Sequence, residues 1–333
     1  MGKPHNDERR ASQRTTHASG KRPSGGNAPT PKADPREERV ALTRLLLTQY
    51  GDATFKHIAE GLDARRPVTL RANTLKTTPA DLARNLGEAG IVCRSVPFSP
   101  DAFVVDGARE DAVRATAAYE NGELYLQSLS AMLPALALAP KPGENILDMA
   151  AAPGGKTCQM AALSGGEALI TACEKNHVRA ERLRYNLEKQ GASRVNVMEC
   201  DARSLDELFT FDKVLLDAPC SGSGTVPLAE GRPFGFSREL LARSMKTQKE
   251  LLKKAVEVLR PGGMMVYATC SILAEENECV LEAVLPHTRA QLMPLPKGLL
   301  EGVPLLPSRL PHVACICPTD LFEGFFMALI RKN

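Results

Sequence analysis

From about residue 38 the chain alternates apolar and polar positions in ways that assign most of its elements. The stretch REERVALTRLLLTQYGDATFKHIAEGL carries apolar residues at helical spacing and predicts helices. RRPVTLRANTL predicts a strand with basic flanks. TPADLARNLGEAGI opens on a Thr cap and closes on a Gly stop, so it predicts a helix. VCRSVPF and AFVVDG predict two more strands. NGELYLQSLSAMLPALAL leads into another helix.

A second series begins near residue 144. NILDMA is an almost continuous apolar strand, followed by a glycine turn and helix in PGGKTCQMAALSGG. ALITACE is a strand, HVRAERLRYNLEKQGA a helix with a Gly stop, and VNVMECD and DKVLLDAP are strands. A long helix from SRELLARS is expected to end at the Pro-Gly-Gly of VLRPGG. MMVYATCS is a strand, EENECVLEAVL a helix and GFFMALIRK a closing strand. Strands alternating with helices imply an α/β fold with a Rossmann-like, doubly wound parallel sheet. Ligands of such sheets lie beyond the carboxyl ends of the strands, at the switch point. The chain thus divides into an arm (1–37), a helical and small α/β module (38–130) and a larger α/β domain (131–333). No internal repeat is present.

Charge changes the picture only at the start. The net charge is +3 over 333 residues, yet residues 1–33 hold seven Lys or Arg and two acids. That segment is rich in Gly, Pro, Ser, Thr and Asn and reads as a disordered basic arm suited to phosphates, or as a solubilising leader. No apolar stretch nears the roughly 18 residues of a membrane span, and the first residues lack the apolar core of a secretory signal. Nine cysteines form no Cys-x-x-Cys and have no accompanying His cluster, so no metal is expected. A reducing intracellular setting is expected, the bacterial cytoplasm or a eukaryotic nucleus or nucleolus.

The candidate chemistry starts at LDMAAAPGGKT. Small residues let backbone approach a ligand, and the helix N-terminus favours negative charge. A P-loop needs Gly five residues before Gly155, where Ala150 stands, and Ala-Ala-Pro-Gly-Gly is not a dinucleotide turn. S-adenosylmethionine fits better, having a carboxylate for loop amides and a ribose whose hydroxyls pair with an acid. Asp148 ends the first strand of the series, Glu174 the second and Asp201 the third. Two further strands end at Asp217 with Cys220 and at Cys270, in LDAPCSGSGT and VYATCSILAEENE, so both thiols are expected at the same cleft. Cytosine offers a reason for a thiol there. Its C5 is a poor nucleophile, and addition of a thiolate at C6 makes C5 enamine-like, so one hard step becomes easier ones. Cys158, Cys173, Cys200 and Cys279 read as core residues.

LDMAAAPGGKT, DKVLLDAPCSGSGT, RPGGMMVYATCSILAEENE and EGFFMALIRK together resemble the Sun (Fmu-like) family of RNA 5-methylcytosine methyltransferases. LRANTLKT resembles that family's upstream RNA-side module. The resemblance covers about residues 65–331, and Pro-Cys-Ser-Gly together with Thr-Cys-Ser makes it specific. It implies that residues 131–333 are an S-adenosylmethionine-dependent methyltransferase domain. Cys270 would then be the nucleophile on C6, and Cys220 would assist product release. Ala150, Ala151, Ala152, Pro153, Gly154, Gly155 and Lys156 would hold the methionine part of the cofactor. Glu174 would hold its ribose, Asp201 would lie by its adenine, and Asp217 would lie between cofactor and base, contacted by Lys156. Ala150 replaces a Cys found in many members, and YLQSLS lacks the acid that often follows its Gln.

With no Trp and 5% aromatic residues, an extended base-stacking platform is not expected. Arg65, Arg66, Arg71 and Lys76 are the expected phosphate contacts to a structured rRNA or tRNA, with the target base single-stranded or flipped. The protein is expected to act as a monomer. The rival reading is a catalytically idle RNA-binding ribosome-assembly factor that kept the fold. Retention of both thiols and all the acids counts against it.

Overall fold

The computed structural model describes residues 1–2 and 34–333. The basic arm read from the sequence falls, from residue 3 to residue 33, outside the described residues. Helix α1 (Pro35–Asp63) starts inside the segment assigned to that arm, because Asp34 accepts a hydrogen bond from the Arg36 amide (2.9 Å) and Pro35 opens the first turn. Gly51, with φ 74°, interrupts it. Leu42, Leu46, Ile58 and Leu62 of α1 share a buried cluster with Leu216, Leu252 and Tyr267 of the large domain. The helical segment assigned to the upstream module therefore packs with the large domain instead.

The small module contains β1 (Thr69–Ala72), α2 (Pro79–Glu88), β2 (Val92–Val96), β3 (Ser99–Asp106), short helices α3 (Glu110–Arg114) and α4 (Ala117–Glu120), and β4 (Leu124–Leu126). Its antiparallel strands lie in the order β2-β3-β1-β4. Leu70, Leu82, Leu86, Val105 and Leu124 form its own core. Thr78 caps α2 as the sequence predicts, through the Asp81 amide.

The large domain continues with α5 (Leu129–Leu138), β5 (Asn145–Asp148), α6 (Gly155–Leu163), β6 (Leu169–Cys173), α7 (His177–Gln190), β7 (Val195–Met198) and β8 (Phe211–Asp217). It ends with α8 (Arg238–Val258), β9 (Leu259–Thr269), α9 (Glu278–Val284), β10 (Ala290–Met293), β11 (Leu305–Leu306), β12 (Val313–Ile316) and β13 (Phe325–Lys332). The order is β11-β12-β13-β9-β8-β5-β6-β7, with β10 beside β13. The five strands from β9 to β7 are parallel, and those beyond β9 are antiparallel. The sheet is thus mixed, not wholly parallel. Helix α8 closes at Val258, and the Arg-Pro-Gly-Gly expected to stop it opens β9.

The chain runs outward from β5 through β6 to β7, then crosses back to β8 and β9. The reversal opens a crevice at the carboxyl ends of β5 and β8. Asp148, Glu174, Asp201, Asp217, Cys220 and Cys270 each sit at or just after one of those five parallel strands.

Candidate active site

The glycine loop leaves β5 and enters α6 with Gly154 at φ 108°. A side chain on Gly155 would meet the Tyr125 ring at 2.9 Å, so the closeness of β4 requires glycine there. Other elements hold the loop by its carbonyls. Arg179 donates to Ala152 O (2.8 Å), Asn186 to Pro153 O (2.8 Å) and Arg71 to Gly155 O (3.4 Å), while the Ala151 amide donates to Cys173 O (3.0 Å).

Asp148 is 1% exposed. Its Oδ2 accepts from Thr157 Oγ1 (2.7 Å), and its Oδ1 has no partner among the described residues. Burial raises its pKa to about 6, against the opposing pull of Thr157. Lys156 donates to Asp217 Oδ2 at 2.7 Å and lies 5.5 Å from the Phe325 ring centroid. Burial opposes its charge, but Asp217, Asp148 and Cys270 outweigh that and raise its pKa.

These groups line a cavity of about 220 Å³ bounded by Tyr125, Gln127, Ala150–Pro153, Lys156 and Asp217. A second cavity, about 50 Å³, shares Ala150 and is lined by Glu174, Arg179, Asp201 and Pro219. Glu174 accepts from the Asn176 amide (2.9 Å) and lies 3.4 Å from Arg179. Asp201 is committed to Arg203, which contacts it through its amide (3.1 Å), Nε (3.0 Å) and Nη2 (2.6 Å). The Arg203 side-chain hydrogen bonds bring the Asp201 pKa down to about 2.

Strands β8 and β9 are neighbours, and Asp217 stands opposite Ala268. Their continuations therefore run side by side, and Cys220 Sγ lies 3.0 Å from Cys270 Sγ. The hydrogen bond to Cys270, then burial and nearby Glu276, push the Cys220 thiol well above its usual range.

The sequence reading missed what fixes these two loops. Glu276 is 0% exposed. It accepts from the Ser221 amide (2.7 Å), the Ser221 hydroxyl (2.5 Å) and the Gln248 amide (3.2 Å). Burial raises its pKa, and the Ser221 bonds oppose the rise. Ser223 and Ser271 hydroxyls meet at 2.8 Å, and Asn277 joins Thr269 Oγ1 (2.6 Å) to Ser271 O (2.9 Å). From the other side, Tyr50 and Gln49 of α1 donate to Ile272 O (2.6 and 3.1 Å). The only hint in the sequence was an acidic run, AEENE, too close to a strand end for a solvated helix start.

The four cations expected to face RNA do not form one exposed cluster. Arg71 is 3% exposed, bonded to Gln127 (3.3 Å) and to the glycine loop. Gln127, whose segment had no assigned role, thereby helps position that loop. Arg66 donates to Phe322 O (2.9 Å) and Gly61 O (2.6 Å). Lys76 is exposed, but its ammonium bridges Asn121 O (2.8 Å) and Lys189 O (2.6 Å). Arg65 is exposed. Three of the four therefore satisfy backbone carbonyls, and of these Arg71 is buried. Among the described residues no helix is long and apolar enough to cross a membrane, and no group of three His, Cys, Asp or Glu is disposed to hold a metal ion.

Comparison with known proteins places this arrangement. A family model described as 16S rRNA methyltransferase RsmB/F matches residues 135–331. A second, described as the ferredoxin-like domain of RsmF/B-like methyltransferases, matches residues 42–110. The chain is 34% identical over 342 residues to the 26S rRNA (cytosine-C(5))-methyltransferase nsun-1 of Caenorhabditis elegans, covering 90% of this chain and 50% of that protein. It is 38% identical over 288 residues to a Homo sapiens 28S rRNA (cytosine(4447)-C(5))-methyltransferase, covering 82% and 35%. It is 35% identical over 284 residues to ribosomal RNA small subunit methyltransferase F of Escherichia coli, covering 81% and 58%. The chain thus spans from about a third to somewhat over half of these relatives. Among solved structures, a methyltransferase homolog from Pyrococcus horikoshii superposes with TM-score 0.75 at 33% identity, over 88% of this chain and 99% of that one. NSun6 from the same organism, solved with SFG, has TM-score 0.76 at 24% identity over 89% and 98%, a likeness of fold. Since the first family model spans more than half of its residues, the chain belongs to the 16S rRNA methyltransferase RsmB/F family.

Proposed function

We propose that the protein transfers a methyl group from S-adenosylmethionine to C5 of a cytosine in RNA, through a covalent bond between Cys270 and C6. The observation that carries this reading is the pair of thiols 3.0 Å apart at the mouths of β8 and β9, beside the cavity that Lys156 and Asp217 line.

The residues present fit the cofactor. Asp148 offers a buried, unpartnered acceptor at the wall of the larger cavity, suited to an ammonium group. Residues Ala150–Lys156 would hold the methionine part, and Glu174 and Asp201, at the second cavity, the ribose and adenine ends. When bound, the sulfonium supplies an electrophilic methyl group. Asp217 and Lys156, already paired, would orient the base between them and the thiols.

In the proposed chemistry the Cys270 thiolate adds to C6 and the displaced electron pair makes C5 nucleophilic. Once C5 has taken the methyl group and the sulfonium is left as a neutral thioether, the C5 proton passes to a base and the C5–H electron pair re-forms the C5–C6 double bond, expelling Cys270 as its thiolate. Cys220, whose Sγ lies 3.0 Å from Cys270 Sγ, is placed to exchange a proton during that last stage. The relatives' printed names favour rRNA over tRNA as the substrate class.

The test is nucleoside mass spectrometry of rRNA transcripts incubated with the protein and S-adenosylmethionine. The expected product is 5-methylcytosine with wild type and none with Cys270→Ala. Methylation at another atom, or equal product from both proteins, overturns the reading.

A further inference from the structure

We propose that the groove between the small module and α7 is a single-stranded RNA site, in which bases stack on Tyr185 and Tyr119 and phosphates pair with Arg182, Arg114 and Lys189. The inference rests on the RNA substrate proposed above and gives that substrate a path. The groove, about 490 Å³, is walled by α3, α4 and β4 on one side and by α7 on the other.

Its lining is unusual for this chain. Three of the five tyrosines converge there, Tyr119, Tyr125 and Tyr185, with three cations, Arg114, Arg182 and Lys189. Tyr185 is 62% exposed and Val178, seven residues earlier, 59%. Val178, Arg182, Tyr185 and Lys189 follow one another at spacings of four, three and four, a single stripe on the helix. A stripe of solvated charge would not need two large exposed apolar side chains.

Two of the cations also hold the Tyr119 ring in place. Lys189 Nζ sits 3.9 Å and the Arg114 guanidinium 5.0 Å from the Tyr119 centroid, and Arg114 donates to the Tyr119 hydroxyl. Two acids face the groove's cations, Glu110 bonded to Arg114 (2.8 Å) and Glu120 3.8 Å from Lys189. Arg182 on the opposite wall is exposed. A ring on each wall with cations between suits a strand whose bases stack while its backbone is neutralised. Tyr125 and Leu126 line both this groove and the 220 Å³ cavity by the glycine loop, so the two adjoin across β4. The low aromatic content that argued against a stacking platform is thus met by concentrating the tyrosines in one place.

The test uses the full chain and a fluorescent single-stranded rRNA fragment, with anisotropy read as a function of salt. Tyr185→Ala should weaken binding about tenfold, and Tyr185→Phe, which keeps the ring, should stay within about twofold of wild type. Arg182→Gln should make the salt dependence shallower by about 0.7 in log–log slope, the value of one single-strand phosphate contact. S-adenosylmethionine binding, measured by calorimetry, should be unchanged in all three and reports that they are folded. A wild-type protein that binds RNA while all three variants bind as tightly, with the same slope, overturns the groove alone. A wild-type protein that binds the cofactor but no RNA overturns the functional reading, and the groove with it.

Discussion

Asp148, Asp201 and Glu174 each follow an apolar strand, and their surroundings set them to different tasks. Burial lifts Asp148 to about 6, while Arg203 draws Asp201 down to about 2. For Asp148 the folded carboxyl binds its proton more tightly than the unfolded one, at about 3.9. Below that value both states carry the proton, and between about pH 4 and pH 6 mainly the folded state does. Its contribution to stability is therefore full below pH 4, falls as pH rises to about 6, and is level above about pH 7. Urea unfolding of wild type and Asp148→Asn at pH 4, 5, 6 and 7 reads this as a stability difference that shifts against wild type across the window. A constant difference contradicts the assignment. Glu174, buried at the second cavity, yields a simpler expectation: Glu174→Ala weakens S-adenosylmethionine binding by about 1–3 kcal/mol in calorimetry, the scale of a lost buried partner. Unchanged affinity rejects its role at the ribose. These acids were legible in the sequence because a short apolar run fixes where a parallel strand ends. Arg71 was not, because its burial depends on Gln127 and Gly155, 56 and 84 residues away.

At the scale of elements, the two thiol loops are held by pieces the periodicity could not connect. Glu276 and Asn277 were read as the start of a helix, but their side chains bind Ser221 and Thr269 instead, so α9 begins only at Glu278. The closing motif EGFF has a similar use. Gly324 N donates to Gly224 O (2.8 Å), and a side chain on Gly324 would come within 2.7 Å of Gly224 Cα and 2.8 Å of Ile272. The final strand thus presses against the Ser-Gly-Ser-Gly loop beside Cys220. Gly324→Ala should push that loop outward, at about 1–3 kcal/mol of stability. Methyl transfer should fall at least about tenfold, while cofactor affinity, set at the other end of the crevice, should hold. Normal turnover in Gly324→Ala would show that the contact does not position the thiol. The helices and parallel strands were readable because each repeats a local period over several residues. Strands β4, β11 and β12, two to four residues long, exist through partners elsewhere in the chain.

For the whole molecule, the alternation of strand and helix was enough to predict the crevice, since a doubly wound order must reverse somewhere. It could not show that α1 packs with the large domain, which follows from Leu42, Leu46, Ile58 and Leu62 meeting residues some 150–220 positions later. The charge balance of residues 1–33 gives a separate expectation. The described core clusters begin at Leu42, so deleting residues 1–33 should leave the unfolding midpoint unchanged. The deletion should also flatten the dependence of RNA affinity on salt, because seven cations leave with two acids. An unchanged slope would mean that the segment makes no phosphate contact. The central claim is that Cys270 and Cys220 do different work on one base, and denaturing electrophoresis of each variant with RNA and S-adenosylmethionine tests it most directly. Cys270→Ala should give neither product nor a covalent band, whereas Cys220→Ala should accumulate a protein–RNA band that survives denaturation. A band with Cys270→Ala and none with Cys220→Ala, or full turnover in both, would contradict the account.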